Sequence, residues 1–494
     1  MRGSRARGVR LKGTRARDVQ LRGKPARGVG LKGIRSGRAE RPRRRLRPPG
    51  AELPSSLRRK ALAALGAGNG TGARELLGTP DAATLTAALA ASGADALVYM
   101  VPGEGFRPHI PGHAPILRPG GAEPAVLDLP LLLSPGSHQL ERYLGSAAER
   151  SRRVADPDAS RASREAAETE WQAALSELCD WAWPAAVGPV LDSPEPLGRP
   201  PRIVLIPCGP LGVVPWHAAR MHIPLGGHRY ACQDAVFSYA PSGAQLLRAV
   251  ARDRLPATGR RVLVTDPRLS LVRAEVETEA LRSACYPDAR RYGEFVAAEG
   301  VPDAPGSCED LLAVLPGGGG EPAAVVHVSC HGVAGPSPTR SALSLADGEL
   351  TVARILDHAA AAPGPDGPLV VLSACETDLS TGDHDEALPL STALVAQGAA
   401  DVVGSRWAVN DSATALMMAA FHHFLTSQDL APADALRAPS CGCSTRTAGP
   451  RPAWATRCTA RPPAPTCRRS TCGPPSPTRA TPRHAEPRPR CCFS

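Results

Sequence analysis

The sequence has no long hydrophobic run. None of its apolar stretches approaches the ~20 residues a helix needs to cross a bilayer, which excludes a helical membrane protein. Its first residues are basic, but no apolar segment follows them, so they do not form a secretory signal. Paired cysteine spacings are missing too. Seven of the 14 cysteines (Cys441, Cys443, Cys458, Cys467, Cys472, Cys491, Cys492) crowd the last 54 residues, and the other seven are scattered before them. That scatter argues against a disulfide framework and predicts a protein of the reducing cytoplasm. Cys441-Gly442-Cys443 and Cys491-Cys492 lack the Cys-x-x-Cys spacing of a zinc tail. The glycine run Gly317 to Gly320 has no Lys-Ser/Thr behind it, so it is a loop and not a phosphate cradle. The ~34-residue period of a tetratricopeptide array is also absent.

Charge is present, but unevenly. The chain of 494 residues carries +11 overall. Residues 1–50 hold 18 Lys and Arg against two acids, and residues 438–494 hold 10 Arg against one Glu, which leaves −14 for residues 51–437. The central part is acidic, so a nucleic-acid function read from the overall charge would be mistaken.

Residues 1–50 form a ten-residue repeat, with Gly3, Gly13, Gly23 and Gly33 in register and Val9, Val19, Val29 and Leu11, Leu21, Leu31 likewise. A unit this short and this poor in apolar residues cannot build a core, so disorder is predicted. The repeat is either a solvated tail or an upstream repeat translated from a start codon placed too early, or else a basic arm for nucleic acid or an anionic surface. At the other end, residues 438–494 are rich in Pro, Arg and Cys without apolar periodicity. This is the composition that GC-rich DNA gives in a shifted reading frame. Disorder is predicted there as well. The Arg, Ala, Gly and Pro bias suggests a high-GC bacterium of the actinomycete kind.

Order is expected between these ends, in two parts. Residues 51–170 read as a helical and β region. Ser55-Ser56 would cap a first helix. Asp81 to Ala91 reads as a helix closed by Gly93, Asp95 to Val101 as a strand, and Ala114 to Arg118 and Ala125 to Leu129 as two more. Helices are expected over His138–Leu144 and Ser160–Trp183, the latter with Trp171, Ala174, Leu175, Leu178 and Trp181 on one face. Trp181 and Trp183 read as packing residues. The second part is assigned to residues 171–437 by where its motifs run, and Ser193 to Pro201 inside it reads as a Pro-rich linker. Its strands read as Ile203–Pro207, Arg261–Pro267, Ala323–Ser329, Pro368–Ser373 and Asp401–Ser405, with helices over Glu275–Ala284, Cys308–Leu315, Leu388–Gln397 and Asp411–Leu425. Helix Asp411–Leu425 is apolar nearly all round, which predicts burial. His217 beside Trp216 reads as structural.

Two of these strands end in reactive residues. Val325-Val326-His327-Val328-Ser329 runs into Cys330-His331-Gly332, and Leu369-Val370-Val371-Leu372-Ser373 runs into Ala374-Cys375-Glu376. Short runs of Val and Leu bounded by turn residues are the pattern of buried parallel strands, and sites in open α/β sheets lie at the carboxyl ends of such strands. A thiol nucleophile acts as thiolate and needs an imidazole or helix N-terminus to lower its pKa. His331 and Cys375 would supply that pair. Gly332 would let a backbone N–H approach an oxyanion. The alternative is two buried strand ends in ordinary packing. A metal site at His327, Cys330 and His331 fails on spacing, since residues four apart on a strand lie about 13 Å apart.

The ordered motifs His327-Val328-Ser329-Cys330-His331-Gly332, then Val370 to Thr377, then Ala393 to Asp411 resemble the CHAT domain of the caspase and separase clan of cysteine peptidases. The resemblance implies a three-layer α/β/α caspase-like fold with a mostly parallel central sheet, preceded by the smaller helical and β region. It implies His331 as general base or acid, Cys375 as nucleophile, and the backbone N–H groups of Gly332 and Cys375 as the oxyanion hole. Asp378 stands where the family usually has Gly. With Trp407 and Asp411 it is a candidate lining for a pocket that takes a basic residue. The implied activity is endopeptidase cleavage of a protein or peptide substrate, under control of a partner or signal, without cofactor, metal, membrane or nucleic acid. The other reading is a catalytically inactive interaction module of the same fold. The family domain normally continues past Arg437, so the unusual tail puts its completeness in question.

Overall fold

The computed structural model describes residues 80–460 except for 105–109, 122, 135, 194–196, 224–226, 257, 298–299, 319, 334, 336–337, 359–363, 365, 375–388, 407–410 and 445–455. The repeats of residues 1–50, the expected helix after Ser55 and residues 461–494 lie outside the described residues. Everything described belongs to one compact unit, Lys60–Ser494.

Two sheets organise it. The first has the strand order β3-β2-β1-β4-β7. It starts after α1 (Ala82–Ser92), whose N-terminal amides are met by Asp81, with Thr84 N donating to its carboxylate at 2.7 Å, and whose end is turned by Gly93 at φ 71°. β1 (Ala96–Met100) pairs antiparallel with β2 (Gly112–Leu117), which pairs antiparallel with β3 (Ala125–Leu129). Helices α2 (His138–Ala155) and α3 (Arg161–Ala182) follow, capped by Ser137 and Ser160. A π turn, Trp183–Val187, leads into α4 (Gly188–Asp192). β4 (Arg202–Pro207) then inserts parallel to β1. A hairpin of β5 (Arg220–His222) and β6 (His228–Tyr230), a single turn α5 (Ala231–Asp234) and β7 (Val236–Tyr239), parallel to β4, complete this half.

Alternation along β1 and β4 decides which helices cover which face. Val98, Met100, Ile203 and Leu205 pack under α2, α3 and Trp216. Leu97, Val204 and Ile206 pack under α1 and α6 (Gly243–Val250). Trp181 lies 5.9 Å from Trp216, ring centre to ring centre, and both Trp181 and Trp183 pack against the core. They are packing residues, as their helical spacing suggests.

The second sheet has the order β10-β9-β11-β16-β17-β18. A short strand, β8 (Asp253–Arg254), precedes β9 (Arg261–Thr265), α7 (Ala274–Ala284) and β10 (Arg290–Gly293). After α8 (Cys308–Ala313) comes β11 (Val325–Ser329), central and buried along its whole length. An antiparallel excursion follows, made of β12 (Gly332–Val333), β13 (Ala342–Leu345) and β14 (Gly348–Thr351), and then α9 (Val352–His358). β15 (Asp366–Gly367) pairs with β8 and leads into β16 (Leu369–Ser373). α10 (Leu390–Gln397), β17 (Asp401–Ser405), α11 (Asp411–Ser427), α12 (Pro432–Ser444) and β18 (Thr456–Ala460) end the description. The five strands from β10 to β17 are mutually parallel, and β18 is antiparallel to β17.

Helices cover both faces of this sheet. Val262, Val264, Val326, Val328, Val370 and Leu372 face α8, α9 and α10. On the other face Leu263 and Val325 meet Leu281 of α7, while Leu369, Val371 and Val403 meet Met417, Met418 and Phe421 of α11 and Leu436 of α12. Burying one such Val or Leu is worth about 1.5–3 kcal/mol, so the two-sided burial of the central strands is the main stabilising term. This is the expected three-layer α/β/α architecture.

Three differences from the sequence reading stand out. α11 is not buried all round: Leu416 is half exposed, while His422 is fully buried. The small antiparallel sheet of β12, β13 and β14 has no counterpart in the expected elements. Where residues 438–494 read as a disordered tail, α12 continues through Ala438 to Ser444, and Thr456–Ala460 extends the sheet edge.

Candidate active site

β11 and β16 lie side by side, and their register is continuous from Val325 opposite Leu369 to Ser329 opposite Ser373. Parallel neighbours are about 4.8 Å apart. His331 follows Ser329 by two residues, and Cys375 follows Ser373 by two residues. The strands that precede His331 and Cys375 in the sequence therefore end in step, side by side, at the carboxyl edge of the sheet. Cys375 itself lies outside the described residues, as do Asp378 and Trp407. Asp411 begins α11.

His331 is half-buried between two kinds of backbone. Behind it, Cys330 is buried and Ser329 accepts a hydrogen bond from Asp266 N at 2.7 Å, which fixes the strand end against β9. Ahead of it, Gly332 pairs with Leu343, and the His331 carbonyl accepts from Ser344 N at 2.8 Å. The missed β12–β13 pairing thus clamps the His-Gly segment from its far side. Asp266 is itself buried at the same edge, and its carboxylate caps the turn that follows, accepting from Ser270 N and Leu271 N. On β16, Ser373 Oγ is buried, with no hydrogen-bond partner among the described residues.

The described cysteines with perturbed acidity are poor nucleophiles. Burial pushes Cys179 up to about 12 and Cys308 to about 11, and it raises Cys208 as well. Each stays protonated near neutral pH, the opposite of what thiolate catalysis requires.

Several buried polar residues escaped the sequence reading. Arg406, directly after β17, is fully buried; it donates to the Gly212 carbonyl and its guanidinium lies 5.9 Å from the Tyr239 ring centre. It ties the edge that carries the candidate site to the first sheet. His217 is buried, with Nδ1 2.8 Å from Tyr239 Oη, a structural arrangement as read from the sequence. Below the edge, Glu277, His327, His422 and Tyr286 form a hydrogen-bonded chain. Its one sequence signal is the His422-His423 pair inside an apolar helical pattern.

A parallel sheet between two helical layers, with Cys330-His331-Gly332 following one central strand and Ala374 following its neighbour at the carboxyl edge, defines a caspase-like peptidase fold. Within that class the chain belongs to the CHAT domain family, whose sequence model matches residues 172–448. That match runs 11 residues beyond Arg437, into the segment where α12 continues. No curated protein sequence matches the chain. Among solved structures it is similar to separase in the Saccharomyces cerevisiae separase–securin complex, with 11% identity and a TM-score of 0.48 over 76% of this chain and 30% of that one. The chain thus spans about a third of that separase's length. It is also similar to the Arg-specific cysteine proteinase gingipain R, with 10% identity and a TM-score of 0.35 over 59% of this chain and 68% of that one. A third likeness is the complex of the Porphyromonas gingivalis gingipain pro- and mature domains, with 9% identity and a TM-score of 0.34 over 65% and 75% of the two chains.

Proposed function

We propose that the chain is a cysteine endopeptidase that hydrolyses peptide bonds of a protein substrate with a Cys375–His331 dyad. The observation that carries this reading is the unbroken register of β11 with β16 up to Ser329 and Ser373. The Cys375 thiolate attacks the scissile carbonyl carbon. The tetrahedral oxyanion is held by the backbone N–H groups of Gly332 and Cys375. His331 delivers its proton to the leaving amine, and water then attacks the thioester, with His331 as base. Asp378 and Asp411, with Trp407, line the pocket for a basic residue before the cleaved bond. A regulatory partner or signal controls the enzyme, which works in the cytoplasm of a high-GC bacterium.

The test is covalent labelling of the full chain with a peptide probe that carries a basic residue and a thiol-directed warhead. Wild type should be labelled at Cys375, Cys375→Ala should lose the label, and His331→Ala should slow labelling by at least about 100-fold. Equal labelling of wild type and Cys375→Ala would leave the fold as a non-catalytic interaction module.

A further inference from the structure

The hairpin β5–β6 and the end of α3 bring three metal-ligating side chains together on the opposite side of the sequence from the dyad. His222 and His228 are directly paired across the hairpin, with ring centres 4.7 Å apart. Asp180, in the last turn of α3, places Oδ1 3.4 Å from His222 Nε2. One ligand atom from each of the three lies within 4.8 Å of those from the other two. Among the described residues this is the one such group of three.

We propose that Asp180, His222 and His228 bind a divalent transition-metal ion, Zn2+ by their chemistry. Two imidazoles and one carboxylate form a borderline donor set that suits zinc better than calcium or magnesium, which take oxygen ligands. A tetrahedral ion with ligand bonds of about 2.0–2.1 Å needs its ligands roughly 3.3 Å apart. Asp180 and His222 already stand at that separation. The remaining closure falls on a hairpin end where His222 is 69% exposed. His228 carries a buried ring nitrogen, Nδ1, without a hydrogen-bond partner among the described residues.

Arg220 is the strongest argument against the site and also shapes it. Its buried guanidinium donates to both carboxylate oxygens of Asp180, at 2.8 Å and 2.7 Å, and to the Ser176 carbonyl at 2.7 Å. The positive charge weakens cation affinity. The same bonds hold the carboxylate in one orientation, as outer partners of metal-ligating carboxylates do. Each oxygen keeps a second lone pair for an ion. With three protein ligands and one side open to water, an ion here keeps a water ligand and clips the hairpin to α3.

The proposal does not rest on the peptidase reading, and its test needs no activity. The full chain, reduced and metal-free, is titrated with Co2+ alone. One equivalent should give visible d–d absorption without the near-ultraviolet band of thiolate ligation, which separates this site from the cysteines of the tail. Zn2+ should displace the colour and raise the melting temperature of wild type. His222→Ala, at an exposed position, should lose both effects, and His228→Ala should do the same. Absence of the visible band in wild type overturns the proposal. So does a band that survives unchanged in His222→Ala.

Discussion

The imidazoles of His327 and His422 lie 3.1 Å apart, Nδ1 to Nε2, and both rings are fully buried between the second sheet and α11. Their outer nitrogens are engaged as well. His327 Nε2 is 2.8 Å from Glu277 Oε1, and His422 Nδ1 is 2.8 Å from Tyr286 Oη. One proton arrangement satisfies all three contacts with neutral rings. Tyr286 donates to His422, His422 donates to His327, and His327 donates to Glu277. The chain joins α7, the segment after it, β11 and α11, so it fixes the strand that runs out to His331. A buried network of this kind is stabilising only while every member is paired.

This arrangement sets a pH dependence. Burial, and then the neighbouring His327, hold the His422 pKa well below the usual histidine value. The unfolded chain takes up a proton as pH falls through about 6.5, and the folded chain does not. Stability is therefore full above that pH and declines below it, by up to about 1.4 kcal/mol per pH unit from this group. Urea unfolding between pH 8 and pH 5 checks it. The acid-side slope should flatten in His422→Gln relative to wild type. An unchanged slope would place the dependence elsewhere.

The C-terminal helix has its own anchor. Arg202 of β4 meets Asp434 of α12 with two bonds, at 2.7 Å and 3.0 Å, and both side chains are partly buried. Arg437 adds bonds to the carbonyls of Cys232 and Gln233 at 2.8 Å and 2.7 Å. Asp434→Ala leaves Arg202 without its carboxylate and should cost about 1.5–3 kcal/mol. Replacing both partners with apolar residues, as in Arg202→Met with Asp434→Leu, should recover most of that loss. A double-mutant cycle by thermal or urea unfolding measures the coupling.

The parts of the fold legible in the sequence were those with a local signal. Val325–Ser329, Leu369–Ser373 and Asp401–Ser405 are short β-branched runs bounded by turns, and each is buried along its length. Asp81 and Gly93 announced both ends of α1. Strands such as His228–Tyr230 and Gly332–Val333 carry no such pattern. They exist because a partner strand lies beside them, so their signal is tertiary. The buried charges were illegible for the same reason. Glu277, His327 and His422 are separated by 50 and 95 residues, and their pairing is decided by packing alone. The proposed dyad was legible only as two strand ends. What brings those ends into step is the register, which periodicity does not encode.

Gly367 lies where two backbones approach too closely for a side chain. A Cβ there would stand 2.2 Å from the Gly398 carbonyl oxygen and 2.7 Å from Ala400 N. The residue sits one position before Pro368, at the start of the run that becomes β16. Gly367→Ala must push β16 away from the turn between α10 and β17, at a cost of about 1–3 kcal/mol. Because that displacement travels along β16, labelling of Cys375 should slow as stability falls. A variant that keeps full stability with slower labelling, or the reverse, would uncouple the strand from the site.

The proposed pocket makes the sharpest claim about substrate. If Asp378 or Asp411 faces the residue before the cleaved bond, a basic side chain there gains a charge-assisted hydrogen bond worth about 1.5–3 kcal/mol. That energy corresponds to a preference of roughly 10- to 150-fold for Arg over an uncharged residue of similar size. The preference is read as the ratio of kcat/KM for two peptides that differ only at that position. The ratio cancels any loss of folded protein, so it isolates the pocket from stability. Asp378→Asn and Asp411→Asn should each be compared with wild type, and the one that lines the pocket should bring the ratio toward unity while kcat/KM for the uncharged peptide stays unchanged. If neither variant moves the ratio, the two carboxylates are solvated loop and helix-start residues, and selectivity for a basic residue has another source.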